Sequence, residues 1–90
     1  MVQRRHLLLT PEARARLERA RDHDPRPYVR ERCAALVKVA DGQTAHAVAL
    51  HGLLKRRDPD TVYWWLDLYE HEGLAGLARR RHGGSQRRYL

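Results

Sequence analysis

Lys55-Arg56-Arg57 stands directly before Asp58-Pro59, so a cluster of cations meets the start of a helix. The first N–H groups of a helix lack intrahelical partners, and with ammonium and guanidinium groups beside them they form a site for phosphate oxygens. A second cluster, Arg79, Arg80, Arg81, Arg87 and Arg88, places five guanidiniums in the last thirteen residues. Between the two clusters, residues 58–77 carry five acids and no Lys or Arg, so the positive charge brackets an acidic segment. The whole chain has 18 Lys and Arg against 11 Asp and Glu, a net charge of +7, and this excess draws polyanions such as nucleic acid or an acidic membrane surface.

Other chemistries find no seat. Six histidines suggest a metal, but His46 and His51 are five apart, off a common helical face, and neither acid nor Cys completes a ligand set. No metal and no cofactor is therefore expected, and solvated histidines are favoured. Cys33 is alone, which excludes an internal disulfide and fits a reducing compartment; its apolar neighbours make it a small core side chain rather than a reactive thiol. The glycines lack the strand-to-helix context of a phosphate loop. No enzyme activity and no small-molecule substrate is expected. No apolar run approaches the roughly 20 residues of a membrane span, so the expected location is cytoplasmic, at the nucleoid, without a membrane partner.

The elements that must position the cations follow from caps and periodicity. Thr10-Pro11-Glu12 opens a first helix, with the Thr hydroxyl as N-cap, Pro at a tolerated first position and Glu favourable to the dipole. Ala13, Leu17 and Ala20 continue it, and the stretch from Asp22 to Pro27 breaks it. Val29, Cys33, Leu36, Val37 and Ala40 define one face of a second helix, which Asp41-Gly42 ends. Thr44 caps a third helix running to about Leu54. Asp58-Pro59 starts a fourth, whose Val62, Trp65, Leu66 and Tyr69 face the core and which Gly73 terminates. Leu74 and Leu77 return to the core beyond it. The expectation is an all-α, compact four-helix domain of the helix-turn-helix, homeodomain-like kind over residues 1–77, with a basic, flexible tail over 78–90.

Two short helices joined by a connector, the second of them capped and preceded by cations, let a helix N-terminus enter a major groove. With Val62 and Trp65 inward, Thr61, Tyr63 and Trp64 are the candidates for base or sugar contact. Lys55, Arg56 and Arg57 are candidates for phosphate, as are the Arg79–Arg81 cluster, Arg87 and Arg88. Asp60, Asp67, Glu70 and Glu72 oppose this electrostatically. Asp58 and Asp60 serve as capping and first-turn acids, whereas Asp67, Glu70 and Glu72 lie toward the helix end that leaves the groove.

Leu9-Thr10-Pro11-Glu12, an Arg-containing second helix closing at Ala40-Asp41-Gly42, Thr61-Val62 with Trp65, and Glu72-Gly73-Leu74-Ala75-Gly76-Leu77 together resemble a known family. It is the amino-terminal helix-turn-helix domain of mariner-like bacterial insertion-sequence transposases and related stand-alone helix-turn-helix proteins. A basic stretch before His-Gly-Gly, here Arg81-His82-Gly83-Gly84, extends the resemblance over about residues 9–84. It implies sequence-specific binding of double-stranded DNA, by a transcriptional regulator or a transposase-derived module. It also implies that strand-transfer chemistry belongs to a separate, following domain. Beside this stands a reading in which Tyr63, Trp64 and Leu68 form an apolar stripe away from the core, the seam of a homodimer or of a protein-interaction adaptor.

Overall fold

The computed structural model describes residues 6–79, and among them every regular element is helical: α1 (Pro11–His23), α2 (Pro27–Ala40), α3 (Ala45–His51), α4 (Pro59–Glu72) and α5 (Leu74–Ala78). The caps form as their chemistry dictates. Thr10 Oγ1 accepts from the Ala13 N–H at 3.1 Å, Thr44 Oγ1 from Ala47 at 3.0 Å, and an Asp58 carboxylate oxygen from Asp60 at 2.8 Å. Pro11, Pro27 and Pro59 each occupy the first helical position, where a missing N–H costs nothing. Pro27 therefore opens α2 rather than prolonging the break, which narrows the loop after α1 to residues 24–26.

At the centre lies α2, which packs against all four other helices, while α3 lies on α4 and α4 on α5. Its buried residues go beyond the single face expected: Ala35 and Val39 join Val29, Cys33, Leu36 and Val37 because neighbours cover more than one side. With Leu17 of α1, Val48 of α3, Val62, Trp65 and Leu66 of α4 and Leu77 of α5 they form one core. No helix among the described residues is long and apolar enough to cross a membrane.

Two expectations are corrected. The third helix does not run to Leu54 but stops at His51. The Ala49 carbonyl, which a continuing helix would bond to residue 53, instead accepts from the Arg57 N–H at 2.8 Å, so residues 52–58 loop back and leave Leu54 fully exposed. The helices also number five among the described residues, because Gly73 ends α4 at φ 71°, ψ −158° and the chain re-enters a helical turn at Leu74. That fifth helix widens the buried side of α4. Leu68, expected on an exposed stripe with Tyr63 and Trp64, is only 8% exposed and belongs to the core, and both aromatics are half-buried.

The approach of α5 to α4 is close. A Cβ placed on Gly76 would lie 2.8 Å from the Glu72 Cβ and 2.9 Å from the Leu68 carbonyl oxygen, neither of them the end of a flexible chain. Gly76→Ala should therefore destabilise by about 1–3 kcal/mol, since α5 must move off α4. A thermal melt checks this, at roughly 4–8 °C of Tm per kcal/mol for a domain of this size.

Candidate nucleic-acid interface

The connector between α3 and α4 is held at two points. Its backbone is tied to α3 by the bond from Arg57 to Ala49, and its side chain to α2. The Arg57 guanidinium donates to both carboxylate oxygens of Glu31, Nε to one at 2.7 Å and Nη2 to the other at 2.8 Å. This fork-to-fork geometry fixes direction as well as distance. The Glu31 carboxylate raises the Arg57 pKa above its ordinary value. Lys55 and Arg56, by contrast, are exposed and form no ion pair with a described residue. The connector thus commits one cation to the scaffold and presents two to solvent, beside the capped start of α4.

A groove of about 580 Å³ runs along the inner side of this connector, with Arg21, Arg30, Lys55 and Arg57 on its walls beside Leu53 and Leu54. Glu31 offsets part of that charge, and Arg30 Nη1 donates to the Asp24 carbonyl at 2.7 Å. Arg21 pairs with Asp22 at 2.9 Å, so Arg30 and Lys55 are the groove cations outside any ion pair with a described residue.

The three base-contact candidates do not share one face. Thr61 lies one turn before Trp65 and two before Leu68, on the side of α4 that turns toward the core, and it is half-buried. Tyr63 meets His46 of α3 edge-on, centroids 6.1 Å apart at 73°. Trp64 lies beneath the Arg32 guanidinium at 5.8 Å from its ring centre. Arg79 is exposed and pairs with Glu72 at 3.0 Å. Arg80, Arg81, Arg87 and Arg88, with the expected flexible tail, lie outside the described residues.

Sequence reasoning missed Arg32. It is 8% exposed, lies 5.0 Å from the Tyr28 ring centre and 5.8 Å from that of Trp65 as well as Trp64, and donates through Nη1 to the carbonyls of Leu77 at 3.1 Å and Arg79 at 3.2 Å. The Tyr28 hydroxyl adds a bond of 2.8 Å to the Ala78 carbonyl. A signal was present: Tyr28 and Arg32 are i and i+4 on a mostly apolar helix, a spacing that stacks them on one face.

Among the described residues no group of three His, Cys, Asp or Glu side chains converges in a way that could hold a metal ion. Cys33 lies in the core, where burial pushes its thiol up to about 11. At pH 8 its thiolate fraction alone should slow a thiol reagent on the order of 100-fold relative to the unfolded chain. Absorbance-monitored labelling, with and without denaturant, measures this directly, and equal rates would contradict a buried Cys33.

The sequence pattern of one protein family matches residues 32–90, which take in α2 from Arg32 onward and all of α3, α4 and α5; the family is described as winged helix-turn helix. Comparisons with curated proteins and with solved structures each gave no match.

Glu31→Gln removes the charge that holds the connector. Because the pair is partly exposed, the expected loss is about 0.5–1 kcal/mol, a fall of roughly 2–8 °C in Tm. The gap from wild type should narrow in about 1 M salt, where such pairs are screened.

Proposed function

The chain belongs to the winged helix-turn-helix family, and from that premise we propose that it binds double-stranded DNA with α4 as the reading helix. One observation carries the proposal: two exposed cations without a described ion-pair partner, Lys55 and Arg56, stand at the capped N-terminus of α4 on a connector clamped to α2 and α3. A helix that enters a major groove by its N-terminus needs phosphate-directed charge at that end, held in a fixed relation to the helix axis. Lys55 and Arg56 supply the charge. Arg57 supplies the fixed relation through Glu31, a positioning role in place of the phosphate contact expected for it.

Within that reading Arg79 adds a further cation beyond α5, and the Arg80 to Arg88 segment extends it. The chain acts as a non-catalytic module, a transcriptional regulator or a transposase-derived DNA-binding unit, and needs no cofactor. A homodimer would suit a two-fold site, each copy reading one half. The adaptor reading loses its third residue with Leu68 inside the core.

Anisotropy titration of duplex DNA across salt concentrations tests the proposal. Binding should weaken linearly in a plot of log affinity against log salt, and Lys55→Ala with Arg56→Ala should reduce the slope by about 1.8, at 0.9 per phosphate contact. A flat salt response, or a slope unchanged in the double variant, would exclude these two residues as the phosphate contacts.

A further inference from the structure

The helix assigned to DNA carries no Lys or Arg from Pro59 to Glu72. Val62, Trp65, Leu66 and Leu68 define its buried arc, and at about 100° per residue the opposite side falls to Asp60, Tyr63, Trp64 and Asp67. Tyr63 is engaged with His46, and Trp64 with Arg32. Asp60 differs from them. It is exposed, it sits in the first turn, and its carboxylate forms no ion pair with a described residue, while its backbone N–H donates to the Asp58 side chain.

We infer that Asp60 reads a base amino group in the major groove, and that the bound sequence places a cytosine opposite the start of α4. The inference rests on α4 being the reading helix. An ionised carboxylate only accepts hydrogen bonds. In the major groove guanine offers the acceptors N7 and O6, and thymine the acceptor O4 with a methyl group. Adenine pairs its amino donor with the N7 acceptor, which repels the second carboxylate oxygen. Cytosine alone shows a donor, N4–H₂, without an acceptor of its own beside it.

The selection works by exclusion as much as by attraction. A carboxylate brought to guanine or thymine loses its hydration and gains nothing in return, so those pairs are penalised. The same negative charge weakens attachment to DNA in general, and the neighbouring Lys55 and Arg56 offset this at the helix start. Asp60 also complements the helix dipole, yet a dipole role confers no base preference. Asp58, not Asp60, caps the helix, so substitutions at Asp60 leave the cap in place.

The test uses the full chain as wild type, Asp60→Asn and Asp60→Ala, with helix content checked by circular dichroism. Each is taken through selection from a random duplex pool, and the enriched duplex and its single-pair variants are then titrated by anisotropy. The wild type should fix one C·G pair whose replacement costs about tenfold in affinity. Asp60→Ala should bind all four versions within about twofold, and Asp60→Asn should move the preference to adenine, whose N6 and N7 suit an amide. Wild-type protein that binds duplex without fixing a pair, or whose base preferences survive in Asp60→Ala, overturns the inference and leaves DNA binding in place. Wild-type protein that binds no duplex overturns both.

Discussion

A guanidinium is tolerated inside a core this small only if its donors and its charge are met. Arg32 meets that condition with carbonyl groups from the end of α5 and with the faces of Tyr28, Trp64 and Trp65. One side chain of α2 therefore joins α4 and α5, and what depends on it is extensive. Its hold on the Leu77 and Arg79 carbonyls, shared with Tyr28 at Ala78, keeps α5 folded back. With α5 in place, Leu68 and Leu77 are covered and α4 has a broad inner side. Trp65 carries a cost of this packing: its indole Nε1 is buried with no hydrogen-bond partner among the described residues, and the guanidinium above its ring is itself a donor and cannot supply one.

The outward side of α4 follows from that packing. Four buried positions on one helix leave a narrow exposed strip, and in this chain the strip is acidic and aromatic rather than basic. The attraction to a polyanion must then come from neighbouring structure, which is where the connector of residues 52–58 enters. In the proposed DNA-binding mode charge and recognition divide between two elements, and the Arg57–Glu31 pair joins the connector to α2. Lys in place of Arg57 would retain the charge without the two-pronged geometry.

Much of this was legible in the residues. Thr10, Thr44 and Asp58 announced three helix starts because capping is a local exchange between one side chain and a few N–H groups, and Gly73 announced an end for an equally local reason. The inward set Val62, Trp65 and Leu66 was readable from spacing alone. The failures share a cause: each depended on residues distant in the chain. The end of α3 at His51 goes with the Arg57 bond back to Ala49, the burial of Leu68 with the packing of α5 on α4, and the role of Arg32 with carbonyls 45 and 47 positions away. For the interface, the cation clusters were legible as composition, but the division between Arg57 and its neighbours Lys55 and Arg56 was not, because Glu31 lies 26 residues away.

The backbone bond from Arg57 to Ala49 has a bearing on how this architecture accommodates change. It closes residues 50–56 into a ring pinned at both ends, with α3 on one side and the Asp58 cap on the other. The span within the ring carries the fully exposed Leu54 and no other backbone bond to a distant helix. Lengthening such a span costs closure entropy that grows only with the logarithm of its length, about 0.6 kcal/mol per doubling. The orientation of α4 against α3 is thereby insulated from lengthening of the piece that joins them, and insertions there alter the rim of the molecule while its helices keep their register.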